Sequence, residues 1–440
     1  MKYYSTNGKA PIADLHKAVV KGLAEDRGLY MPEKINKLPK EFFDNIEKMS
    51  FQEIAYTVAS AFFGEDVDPD ALHDIVYDTL QFDCPVVNVK DNIYTLELFH
   101  GPTLAFKDVG ARFMARLLQY FIKQENNHKE VNVLVATSGD TGSAVANGFL
   151  GVDGIHVYVL YPKGKVSPIQ ECQFTTLGKN ITAIEVDGVF DDCQALVKNA
   201  FMDAELNEHM KLTSANSINV ARFLPQAFYY FNAYARMKEI ANTQHLSPNT
   251  QLVMCVPSGN FGNICAALFG HEMGLPIKRF IAANNANDIF YNYLQTGKYE
   301  PKPSKQTLAN AMDVGDPSNF ARIYDLYGKS HAKITSLISG ATYSDEQIKA
   351  TMRECYKDSG YILDPHGACG YQALKDGLQA GEVGVFCETA HPAKFKEKVD
   401  DILGIDVEIP ERLAAFMRGE KQSVPMSKDF ADFKNYLMHQ

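Results

Sequence analysis

The sequence predicts an α/β protein: two doubly wound, mostly parallel-sheet domains with a helical N-terminal domain. Three observations carry the prediction. Six runs, VNVLVA (131–136), IHVYVLY (155–161), ITAIEV (181–186), QLVMCV (251–256), KRFIAA (278–283) and VGVFCE (383–388), are continuous, Val/Ile-rich and of strand length. Continuous apolar runs suit strands buried on both faces. Amphipathic stretches of helical period alternate with them, the pattern of parallel sheets covered by helices. Ahead of both, Ile12–Leu23 and Phe51–Phe63 carry apolar residues at helical spacing, and breaks such as GEDVDPD divide them.

A chain of 440 residues has room for several domains. The texture divides it into a helical cap or lid over 1–91, a first α/β domain over 92–241 and a second over 250–440. The Pro/Asn-rich stretch Asn242–Thr250 (NTQHLSPNT) is the expected linker. The 43 Lys and Arg against 54 Asp and Glu leave a net charge of −11, which argues against a nucleic-acid or anionic-membrane surface. No stretch approaches the ~18 apolar residues of a membrane span. The opening MKYYSTNGKAPIADLH lacks the apolar core of a secretory signal, which predicts a cytoplasmic protein. The eight cysteines lie ten or more residues apart without a CxxC pair, and HEMGL lacks the second histidine of a zinc-binding HExxH. No metal site and no obligate protein partner are expected, and the cysteines are read as structural.

Two loops share a layout. The strand VNVLVA is followed by Thr137-Ser138-Gly139-Asp140-Thr141-Gly142, and QLVMCV by Pro257-Ser258-Gly259-Asn260-Phe261-Gly262-Asn263. Each is a Ser-Gly-x-x-Gly turn between a strand and a helix N-terminus, where backbone N–H groups and the helix dipole favour an anion. For one loop alone a plain strand-to-helix turn explains the glycines equally well; two such loops point to a site holding two anionic groups. No GxG spacing and no P-loop compete for the assignment.

A third segment, His100-Gly101-Pro102-Thr103-Leu104-Ala105-Phe106-Lys107-Asp108, leads into an amphipathic helix marked by Val109, Phe113, Met114, Leu117, Leu118 and Phe121. A lysine at a positive helix N-terminus, flanked by apolar residues, favours its neutral amine, the form needed for Schiff-base chemistry. A surface lysine paired with Asp108 is the plain alternative.

The motifs HGPTLAFKD, ATSGDTGSA, NSIN-x-AR, PSGNFGN and ETAHPAKF, with the opening GLAEDRGLYMPEKI, resemble the threonine synthase family of the long, microbial and fungal kind. That family comprises pyridoxal 5'-phosphate enzymes of the tryptophan-synthase-β fold type (fold type II), and the resemblance runs from about residue 3 to 396. It implies Lys107 as the cofactor lysine and catalytic base, and Ser258, Gly259, Asn260, Phe261, Gly262 and Asn263 as the phosphate cradle. It further implies Thr389 as the hydroxyl at the pyridine nitrogen, and Thr137, Ser138, Gly139, Asp140 and Thr141 as the loop for the substrate α-carboxylate. Asn216, Ser217 and Arg222 are implied for the substrate phosphate; an ordinary salt bridge is the alternative for Arg222. Many relatives of the wider fold type have Asn where this chain has Asp140, and an acid beside the cofactor's 3′-oxygen requires that one of the two be protonated. The implied reaction converts O-phospho-L-homoserine and water to L-threonine and phosphate, the last step of threonine biosynthesis. Rival readings are a hydroxy-amino-acid dehydratase or sulfhydrylase of the same fold type, and a catalytically silent ligand-binding relative.

Overall fold

The chain opens with three short strands, β1 (Lys2–Ser5), β2 (Ala13–Asp14) and β3 (Tyr30–Pro32), forming a small sheet in the order β2-β1-β3. The helix expected over Ile12–Leu23 is therefore shorter, Leu15–Lys21. The Asp14 side chain caps it by accepting from the Lys17 N–H, and Gly22 at φ +75 ends it. The helix Phe51–Phe63 has the expected bounds and opens on a Ser50/Glu53 capping box, a device that contributes about 1 kcal/mol. The computed structural model describes every residue except His245 and Pro248, so those two positions of the expected linker lie outside the described residues.

Then follow β4 (Val86–Lys90), β5 (Ile93–Glu97), β6 (Val131–Ala136), β7 (Ile155–Pro162), β8 (Ile181–Asp187) and β9 (Lys211–Ser214). After the helix Ala227–Gln244 come β10 (Gln251–Pro257), β11 (Arg279–Asn284), β12 (Ile338–Thr342), β13 (Glu382–Glu388) and β14 (Val424–Ser427). The six apolar runs are β6, β7, β8, β10, β11 and β13, and β6 and β13 are buried at every position. One sheet has the order β12-β11-β10-β13-β5-β4, parallel except for the β4–β5 pair; the other, β14-β8-β7-β6-β9, is wholly parallel. The mixed α/β architecture with parallel sheets is the one expected.

The compact units do not coincide with 1–91, 92–241 and 250–440. One unit gathers 32–106 and 223–408; the other gathers 2–31, 107–222 and 409–440. Strand pairing is the physical reason. β5 lies beside β13 and so draws residues before 107 into the six-stranded sheet. β14 pairs with β8, and Phe433 and Leu437 of the last helix join Leu134, Leu160 and Ile184 in one apolar core. The first 91 residues are correspondingly divided between the units and include β1–β3 as well as helices.

Candidate active site

The motifs HGPTLAFKD and ETAHPAKF are one structural feature. Ala105 forms a β-bridge with Ala390. The Phe106 N–H donates to the Thr389 carbonyl (2.8 Å) and the His391 N–H to the Leu104 carbonyl (3.0 Å). The buried Lys394 ammonium donates to the Thr103 carbonyl (2.8 Å). These bonds hold Leu104 at φ +60, a conformation that a residue with a Cβ adopts only when its surroundings enforce it. Thr389, one residue past β13, is buried.

The next residue, Lys107, is half-buried and begins the helix Lys107–Gln124, which puts it at the positive end of the helix. One turn on, a Cβ at Gly110 would stand 2.6 Å from Arg222 Nη1. Glycine is thus what admits the guanidinium to the first turn of this helix. Arg222 is only 1% exposed.

The same unit carries the loop after β6. Thr137 turns inward, and its hydroxyl accepts from the Gly139 and Gly142 N–H groups, both at 2.8 Å. Gly139 sits at φ +145, and a Cβ there would stand 2.6 Å from the Gln170 amide. That amide donates to the buried Asp140 carboxylate at 3.0 Å. The helix Asp140–Phe149 follows, with Ser138 and Thr141 half-buried. Past the end of β9, Asn216 donates to the Ala136 carbonyl (3.3 Å), tying the segment Asn216–Arg222 to the end of β6. Ser217 is half-buried beside it in the chain.

The other unit carries the loop after β10. Here the side chains bend back: the Ser258 hydroxyl donates to the Val256 carbonyl (3.1 Å), and Asn263 donates to the Pro257 carbonyl (2.8 Å) while accepting from the Ile264 N–H (2.8 Å). From β11, Asn284 donates to the Ser258 carbonyl (3.0 Å). The Asn319 N–H donates to the Asn260 carbonyl (3.1 Å). Phe261, in the left-handed region at φ +65, caps the helix Gly262–Glu272. The first N–H groups of a helix have no acceptor within it, so Phe261, Gly262 and Asn263 present donors suited to a phosphate. The loops after β6 and β10 thereby lie at the carboxyl edges of the sheets of their own units, where open α/β sheets bind ligands.

The sequence reading passed over a buried ionisable set in the six-stranded unit: Asp364, His366 and Glu388, the last residue of β13. Burial, followed by the neighbouring Asp364 charge, pushes the Glu388 carboxyl well above its ordinary range. Burial opposes ionisation of Asp364 too, but His366, Glu388 and the Gly367 N–H hold it below its usual value. The dipeptide Asp364-Pro365, a cap followed by proline at the first helical position, was the available signal in the sequence. Nothing local joins it to Glu388.

Three family models match the chain: pyridoxal-phosphate dependent enzyme over 82–387, threonine synthase N terminus over 2–80 and threonine synthase, C-terminal, over 367–437. Threonine synthase of Escherichia coli (strain K12) is 43% identical over 439 residues, covering 100% of both chains. Its crystal structure aligns at a TM-score of 0.92 over 100% of both chains. A PLP-bound threonine synthase from Brucella melitensis aligns at a TM-score of 0.90 with 34% identity, over 100% of this chain and 99% of that one. The chain is a pyridoxal-phosphate-dependent enzyme. Each unit taken by itself carries groups of the kind that cofactor takes: an amine at the start of the helix Lys107–Gln124 in one, and backbone N–H groups at the start of the helix Gly262–Glu272 in the other. It belongs to the threonine synthase family.

Proposed function

We propose that the enzyme converts O-phospho-L-homoserine and water to L-threonine and phosphate, with Lys107 as the cofactor lysine. The observation that carries the residue roles is the first turn of the helix Lys107–Gln124. An amine stands at its start, and a buried guanidinium packs on Gly110 one turn later. When bound, pyridoxal phosphate supplies an electron sink beside the carbon that loses its proton. Lys107 takes the substrate Cα proton and returns protons to the carbon skeleton. Ser258, Gly259, Asn260, Phe261, Gly262 and Asn263 hold the cofactor phosphate, chiefly by backbone N–H groups. The Thr389 hydroxyl meets the pyridine nitrogen and, being neutral, leaves it unprotonated.

The loop 138–141 takes the α-carboxylate through the Ser138 and Thr141 hydroxyls and backbone N–H groups, the Asp140 carboxylate being held by Gln170, and Thr137 shapes that loop through its two hydrogen bonds. Asn216, Ser217 and Arg222 take the substrate phosphate; the planar fork of Arg222 suits bidentate contact. None of the eight cysteines forms a disulfide among the described residues, which supports a reducing compartment, the cytoplasm. The test measures phosphate release from O-phospho-L-homoserine against ammonia release from threonine or serine. Phosphate release is expected to dominate; dominant ammonia release would replace this reading with a dehydratase.

A further inference from the structure

The roles above leave Asp364, His366 and Glu388 without a task, although they are 0%, 2% and 0% exposed. Asp364 caps the helix Pro365–Gly377: its Oδ1 accepts from the Gly367 N–H (2.8 Å) and its Oδ2 meets His366 Nδ1 at 2.5 Å. On the other side of the ring, the Ala311 N–H donates to His366 Nε2 (3.1 Å). An acceptor at Nε2 fixes the tautomer, so the ring proton sits on Nδ1 and points at Asp364. The Asp364 N–H in turn donates to Glu388 Oε1 (2.8 Å), and Glu388 immediately precedes Thr389. At the opposite end, Ala311 walls the loop after β10: a Cβ on Gly259 would stand 2.6 Å from the Ala311 carbonyl oxygen.

We infer that His366 is a positioning residue for the cofactor phosphate, fixing through Ala311 the wall on which Gly259 closes and anchoring it through Asp364 and Glu388 to the strand leading to Thr389. The inference rests on Ser258–Asn263 being the phosphate cradle. It requires that loss of the Nε2 acceptor weaken binding of a phosphorylated cofactor and spare its unphosphorylated form.

His366→Asn keeps a donor for Asp364 and cannot reach Ala311, whereas His366→Gln carries an acceptor oxygen near the place of Nε2. Pyridoxal phosphate and pyridoxal are titrated separately into the cofactor-stripped full chain, and binding is followed by absorbance. His366→Asn is expected to weaken pyridoxal phosphate about tenfold and to leave pyridoxal within about twofold, with His366→Gln recovering most of the loss. Asp364→Asn, a milder change that leaves the imidazole in place, is expected to weaken pyridoxal phosphate about threefold and keeps the test open should His366→Asn not fold. Variants that bind pyridoxal phosphate as the parent does, or that lose both ligands equally, overturn the inference. A parent that binds pyridoxal as tightly as pyridoxal phosphate overturns the cradle itself, and the inference with it.

Discussion

The loops after β6 and β10 share a Ser-Gly-x-x-Gly layout and dispose of their donors in opposite ways. After β6, two backbone N–H groups are taken up by the Thr137 hydroxyl and the buried Asp140 carboxylate accepts from Gln170, which leaves the half-buried hydroxyls of Ser138 and Thr141. After β10, the side chains of Ser258 and Asn263 are turned onto the strand end, so that loop offers the backbone N–H groups of a helix start. One spelling thus gives two arrangements of hydrogen bonds. A loop presenting side chains can select among amino acids, and one presenting backbone donors fits any phosphate of the right shape. Thr137 makes the difference, since the position before the serine in the second loop is Pro257, which has no hydroxyl to give.

On the proposed roles, the largest effect is expected at Lys107. Lys107→Ala is expected to lower phosphate release by about 10³-fold or more and to remove the cofactor's protein-bound absorbance band. A retained band would take the cofactor role from Lys107.

The glycines give the next largest effects and should split by phenotype. Gly259→Ala drives a Cβ to 2.6 Å from the Ala311 carbonyl oxygen and should cost cofactor affinity. Gly139→Ala meets the Gln170 amide and a forbidding φ of +145. It should raise KM for O-phospho-L-homoserine and cost about 1–3 kcal/mol of stability, with the cofactor retained. Identical phenotypes in the two variants would erase the division of labour.

Removing single hydroxyls sharpens the same point on a smaller scale. Thr137→Val strands two buried N–H groups and should destabilise the chain by about 1–3 kcal/mol in urea unfolding; Ser258→Ala loses one donor and should cost about 0.5–1.5 kcal/mol. The reverse order would mean that Thr137 does not organise its loop.

The smallest effect concerns the strand end before Thr389. Glu388 Oε2 has no hydrogen-bond partner among the described residues, and burial and then Asp364 raise its carboxyl far above the ordinary 4.5. The native chain keeps a proton there that the unfolded chain releases above about pH 4.5, so this group's contribution falls as pH rises beyond that value. Glu388→Gln has no such proton. Its Tm relative to the parent should shift upward between about pH 5 and pH 8, and a flat difference would show Glu388 ionised in the fold.

The central strands, the helix beginning at Lys107 and both glycine loops were legible in the sequence because each is written in contiguous residues. Of the strands missed, β4, β9, β12 and β14 are the edges of the two large sheets. Edge strands are short and tolerate polar residues, Gly and Pro, as VVNVK, KLTS, ISGAT and VPMS show. Interior β5 (IYTLE) carries polar residues that break the apolar run.

By itself the sequence determined the six apolar strands, the helix that begins at Lys107 and which family the chain resembles, since these follow from period, turn chemistry and motif order. Only the tertiary structure decided how the chain shuttles between its units, that Lys394 reaches the Thr103 carbonyl across 291 residues, and which loop spends two of its N–H groups on a threonine hydroxyl. Those outcomes depend on which groups burial brings together, and hydrogen bonds between distant segments leave no periodic trace in the residues that make them.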